Sequence, residues 1–116
     1  MATHRDLLTW QKAMDLVVEI YKLIDLLPRE ETYCLADQMR RAAVSIPSNI
    51  AEGHGRNSIN DFKRFLAIAQ GSRAELETQL DICLRVHYLT EDQVKKAMSL
   101  SVEVRKMIYS MQYNMR

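Results

Sequence analysis

Near the end of the chain, Val94, Ala97, Ser101, Val104, Ile108, Met111 and Met115 follow one another at steps of three and four residues without a miss. A half-buried strand would alternate by twos. This period belongs to a helix with one continuous seam, of the kind that packs against nearly parallel or antiparallel helices. Thr90-Glu91-Asp92-Gln93 stands ahead of it in the form of a capping box. A helix of this length and pattern needs apolar partners of its own kind, so the question becomes what the rest of the chain supplies.

Three further segments carry the helical period. The first spans residues 9–27, with Thr9 as the expected N-cap, a face of Trp10, Ala13, Met14, Val17, Ile20 or Tyr21, Ile24 and Leu27, and Pro28 as the stop. The second begins near Glu30 or Glu31, where acidic groups suit the helix dipole, and sets Leu35, Met39, Ala42, Ile46, Ile50 and Gly53 on one face. Pro47 falls inside this pattern and the period resumes after it, which predicts a kink rather than an end. Gly53-His54-Gly55 closes the segment, with a glycine suited to a left-handed C′ position. The third opens on Ser58 as N-cap and carries Phe62, Phe65, Leu66, Ala69, Ser72, Leu76, Leu80, Cys83 and His87. Gly71 in its interior costs about 1 kcal/mol against alanine; close approach of another backbone is the expected return. Four helices with short breaks predict an all-α, up-down-up-down four-helix bundle, one domain over residues 1–116.

Composition narrows the function classes. The 116 residues carry a formal net charge of +1 and only two cysteines. Near-neutral charge predicts no strong nonspecific pull on nucleic acid. Cys34 and Cys83 are too few for a disulfide framework, and a cytoplasmic location follows as the simpler expectation. No apolar run is long enough to cross a membrane.

Polar groups sit inside the apolar pattern of the second helix: Arg41, Ser45, Asn49 and Glu52. A core rejects unpaired charge. Arg41 is therefore expected to pair with Glu52 or Glu75, within the bundle or across subunits, and Asn49 or a neighbouring subunit to serve the Ala43 carbonyl that Pro47 leaves without a donor. Glu52 has no nucleophile or metal partner in sequence, so no enzyme and no catalytic residue is expected. Cys83 and His87, four apart, lack the paired motif of a structural zinc site, and no metal or cofactor is expected. Gly71-Ser72 lacks the form of a phosphate loop. The basic residues Arg40, Arg56, Lys63 and Arg64, with Arg73 as a further member, form the candidate phosphate contacts, since arginine grips phosphate through a planar fork. Met98, Met107, Met111 and Met115, with Tyr109 and Tyr113, fit either core or an oligomer interface.

The set Trp10-Gln11-Lys12-Ala13, Pro28-Arg29-Glu30-Glu31-x-Tyr33-x-Leu35, Gln38-Met39-Arg40-Arg41-Ala42-Ala43-x-Ser45-Ile46-x-x-Asn49-Ile50-Ala51-Glu52-Gly53 and Ala69-x-Gly71-Ser72-x-x-Glu75-Leu76 resembles the signature of a family of small four-helix bundles. Its members were first found encoded in intervening sequences of large-subunit ribosomal RNA genes. The family also takes in the accessory variability proteins (Avd) of diversity-generating retroelements. The resemblance implies a ring-like homo-oligomer, typically a pentamer, with no enzymatic activity. It also implies that RNA, DNA or a nucleic-acid-handling protein is the partner. Avd members are strongly basic, and the near-neutral charge here sets this chain closer to the intervening-sequence branch. Arg41, Ser45, Pro47, Asn49, Glu52, Gly71, Ser72 and Glu75 are then expected to hold the second helix and the subunit interface. A protein–protein interaction module with no nucleic-acid role is the alternative.

Overall fold

A computed structural model of the chain describes residues 2–115. A capping box between Thr3 and Asp6 starts a short 3-10 turn at His4–Asp6, which leads directly into α1, Leu8–Ile24. After a 3-10 turn at Arg29–Glu31 come α2, Leu35–His54, α3, Ile59–Arg85, and α4, Glu91–Asn114. No helix is long and apolar enough to cross a membrane among these residues.

The helices form an antiparallel square. Side chains near the start of α1 meet the end of α4, with the Thr9 hydroxyl donating to the Met111 sulfur at 3.0 Å, whereas Lys96 near the start of α4 reaches Glu19 late in α1 at 3.5 Å. Ser45 meets Ser72 across α2 and α3, and Arg73 meets Ser101 across α3 and α4. Each helix packs on its two neighbours, and among the described residues the backbones of the diagonal pairs stay more than 8 Å apart, Cα to Cα. The expected up-down-up-down bundle is the observed architecture.

One core runs the length of the square. It is built from Ala13, Leu16, Ile20, Leu23 and Ile24 of α1, with Met39, Ala43, Ile46 and Ile50 of α2. Leu66, Ala69, Leu76 and Leu80 come from α3, and Val94, Ala97, Val104 and Ile108 from α4. Most of the α4 seam is therefore core, with Met111 and Met115 packed at its edge. In α1 the apolar arc divides. Leu16 and Leu23 are core, while Met14 and Tyr21 face out. An arc wider than one bundle can bury leaves its flank exposed.

Several expected boundaries move for local reasons. Thr9 is not a cap; the turn before it has already started the helix, and its side chain is buried against α4. The segment near Glu30 forms only a 3-10 turn, broken at Cys34 (φ −120°, ψ −101°) before α2 begins. Glu31 bridges that break: one carboxylate oxygen accepts from the Leu35 N–H at 3.3 Å and the other from the Tyr88 hydroxyl at 2.8 Å. The same bond, with burial, holds the Tyr88 phenol above its ordinary pKa. α2 runs unbroken through Pro47, which removes one donor without ending the helix. Gly55 closes α2 with φ −79°, so the expected left-handed glycine is absent; a right-handed turn carries the chain on, Arg56 N–H donating to the Gly53 carbonyl.

The left-handed residue is His87 (φ 64°). Tyr88 N–H donates to the Cys83 carbonyl at 2.9 Å and His87 N–H to the Leu84 carbonyl at 3.2 Å, which is the Schellman arrangement of a helix end. His87 thus lies beyond α3, exposed, and does not share the face of Cys83. His87→Gly is expected to stabilise the fold by about 1 kcal/mol, since a left-handed C′ position penalises any Cβ; a chemical-denaturation midpoint at or below the parent would contradict this.

Glu19 links α1 to α4. Burial alone would raise its pKa, but the ammonium groups of Lys22 and Lys96 outweigh burial and hold it below the usual carboxylate value. Such a group adds stability above the unfolded value near 4.5 and loses it as pH falls through the lower native value. Because both lysines are largely exposed, Glu19→Gln should cost a few tenths of a kcal/mol at pH 7. The gap between variant and parent melting curves should close in acid.

Candidate functional site

The short turn from α2 to α3 collects the basic side chains. Ser58 caps α3 by accepting from the Asp61 N–H at 3.0 Å. That fixes the first turn of α3 and places Lys63, Arg64 and Phe65 beside the end of α2. Gly53 lies against this turn: a Cβ there would stand 2.6 Å from the Phe65 Cβ. The two helices meet so closely because α2 offers no side chain at that point. Phe65 is buried, and its ring lies 4.9 Å from the Arg56 guanidinium and 4.6 Å from that of Arg64. His54 packs edge-on to Phe62 alongside. Aromatic faces hold guanidinium groups by cation–π attraction while leaving their N–H edges free to donate.

Each arginine has one exposed carboxylate neighbour, Glu52 for Arg56 at 3.1 Å and Asp61 for Arg64 at 3.8 Å. Such pairs in water contribute little and exchange readily for another anion. Lys63 is half-buried. Arg56 and Arg64 therefore lie together over the Phe65 ring, with Lys63 preceding Arg64 in the first turns of α3. Arg40 does not join them: it sits toward the other end of α2, roughly 20 Å from Gly53 at 1.5 Å per residue, bonded to Asp37 at 2.9 Å. Arg73 is no surface group either. It is 6% exposed and bonds Glu77, Gln70 and Ser101 between α3 and α4.

The charges of α2 lie outside the core. Arg41 also pairs with Asp37, at 2.9 Å, rather than with Glu52 or Glu75, and its side chain is 79% exposed. Glu52 is exposed. What remains inside is small and neutral. The Asn49 amide donates to the Ser45 carbonyl and hydroxyl, and the Ser45 hydroxyl shares a 2.8 Å bond with Ser72. The carbonyl it serves is that of Ser45, not Ala43. Among the described residues Glu75 meets only the Gln79 amide, at 3.3 Å. Gly71 has nothing within 4 Å of where its Cβ would be, so the close approach expected there occurs at Gly53 instead. Cys83 is buried near Met39, and burial together with the Glu31 charge pushes its thiol up to about 11. Among the described residues no three His, Cys, Asp or Glu side chains converge as a metal site would require.

The residues forming this turn and the polar link behind it fall within residues 5–110, which match the 23S rRNA-intervening sequence protein family. The chain belongs to that family. The chain is also similar to a solved protein of unknown function from the S23 ribosomal protein family of Bacteroides thetaiotaomicron VPI-5482. The two share 28% identity and superpose with a TM-score of 0.84, over 90% of this chain and 98% of that one. No curated protein matches the sequence. For a member of the 23S rRNA-intervening sequence protein family, two features invite function: the arginine-aromatic turn, and an apolar trough between α1 and α2. The trough is lined by Trp10, Met14, Val17, Val44, Pro47, Ser48 and Ala51 and opens onto about 280 Å³. Trp10, Met14 and Val17 were legible in the sequence only as part of the α1 face, and Val44, Pro47 and Ala51 fell outside the face assigned to α2. Periodicity ranks residues by face and does not say which face a neighbour covers.

Proposed function

We propose that this protein is a non-enzymatic cytoplasmic scaffold that assembles with copies of itself and holds RNA or DNA at the α2–α3 turn. The nucleic-acid part rests on one observation: Arg56 and Arg64 converge on the Phe65 ring, held by stacking and weakly engaged with carboxylates. This geometry suits phosphate oxygens, which would displace Glu52 and Asp61, and Lys63 adds a point charge beside them. Backbone phosphates are the target, because nothing in the turn offers a groove for reading base edges. The self-assembly part rests on the exposed apolar trough, which water alone would cover at a cost. A homopentamer, as the resemblance implies, is the form proposed.

A salt series separates this reading from a module that binds only protein. Affinity for a mixed RNA and DNA pool should fall linearly in log–log terms with salt. Arg56→Gln with Arg64→Gln should weaken binding for all sequences alike and reduce the slope by about one per lost contact. No binding by the parent protein at low salt would refute the nucleic-acid reading and leave the trough as the functional surface.

A further inference from the structure

A second exposed face lies on the same molecule. On α3, Ile68, Gly71, Glu75, Thr78, Ile82 and Val86 are all exposed, and their spacing of three and four sets them on one face. Gly71 on this face is unexplained within the chain. It sits in the middle of a 27-residue helix with open space around it, where alanine would be better by about 1 kcal/mol. A glycine at such a place lets something outside the chain approach the α3 backbone.

Charge fits this face to the trough. The trough lies between α1 and α2, whereas the α3 face lies beyond α2, so one molecule can present both at once. At one end of the trough Arg40 and Arg41 share the single carboxylate of Asp37 beside Tyr21, leaving an excess of positive charge. On α3, Glu75 has no cation within 4.0 Å among the described residues and meets only Gln79. The spacing agrees as well. Tyr21 to Met14, Arg41 to Ser48 and Glu75 to Ile68 are each a step of seven residues, roughly 10 Å of helix. With Glu75 set against Arg41, Ile68 falls over the apolar floor at Met14 and Pro47, and Gly71 lies between them, opposite Val17 and Val44.

We propose that the outer face of α3 docks into the α1–α2 trough of a second copy of this chain, with Glu75 against Arg41 of its neighbour and Gly71 at the closest approach. This rests on the self-assembly reading above and goes further, since it makes the contact head-to-tail: each copy gives one face and receives on another, as a closed ring requires.

The test is a mixing experiment followed by sedimentation velocity. Val44→Arg spoils only the trough, and Gly71→Trp spoils only the α3 face; both positions are exposed, and circular dichroism verifies that each variant stays helical. Each variant alone should be monomeric at concentrations where the parent assembles. Mixed in equal amounts, they should form a two-subunit complex and nothing larger, because one intact trough and one intact α3 face remain. Glu75→Arg and Arg41→Glu should each weaken assembly at least tenfold and together recover it. A parent that is monomeric at every concentration overturns self-assembly itself. If the parent assembles and Gly71→Trp assembles equally well, or the mixed variants remain monomeric, the head-to-tail contact is wrong while self-assembly stands.

Discussion

Gly53→Ala is expected to lower the thermal midpoint by about 4–8 °C. The new methyl would lie 2.6 Å from the Phe65 Cβ and 3.0 Å from the Phe62 ring. The Phe62 ring can turn away. The Phe65 Cβ is fixed to the α3 backbone, so the helices themselves must part. Overpacking of this kind costs about 2–3 kcal/mol, and a domain of this size loses about 4 °C per kcal/mol. Alanine favours helix over glycine by about 1 kcal/mol, which offsets part of the loss. Separation of α2 and α3 would also shift the Phe65 ring from beneath Arg56 and Arg64. Calorimetry together with nucleic-acid affinity therefore tests one contact twice. A midpoint within 2–3 °C of the parent, well inside the shift that a 2–3 kcal/mol overpacking predicts, would show that the helices have slack at this crossing.

The second large effect concerns the buried arginine. Glu77→Ala leaves the Arg73 guanidinium with Ser101 and Gln70 but without a counter-charge, while Arg73 itself stays buried. Removing one partner of a fully buried pair costs about 3–5 kcal/mol. Glu77 is partly open to water, so about 2 kcal/mol is the expected loss, seen as a lower urea midpoint. Adding Arg73→Met should return most of it, since the second change removes the stranded charge and fills its volume with apolar atoms. Additive losses in the double variant would mean that the two side chains act independently and that the link between α3 and α4 lies elsewhere.

These two sites also show what the sequence could and could not disclose. Helix number, order and type followed from the spacing of apolar residues, and the caps at Ser58 and Thr90 from local chemistry; both depend on neighbours a few residues away. Contacts between helices depend on rotation about each axis. Arg73 sits four residues after Ala69 and three before Leu76, squarely within the buried face, but an arginine in that register reads as surface unless its partners Glu77 and Ser101 are known to converge. Gly53 and Gly71 carry the same propensity cost, and only the crossing of α2 with α3 tells them apart. Arg41 and Glu52 fell within an apolar period yet point outward, because a helix arc three residues wide can be covered on one side only. The candidate turn was partly legible, as basic residues flanking a helix start. The Phe65 ring beneath two of them was not, since an aromatic residue on the buried stripe shows no sign of supporting a surface.

The contact between Thr9 and Met111 joins residues 102 positions apart in sequence. An even number of antiparallel helices brings the chain back to the end at which it started. The start of α1 and the end of α4 can therefore be spliced by a few flexible residues and the chain cut open elsewhere without altering the square. The molecule is topologically a closed circuit of four rods with one arbitrary break. Each connection at the far end then becomes a place where a tag, a reporter or a second domain can be carried without disturbing the order in which the helices pack.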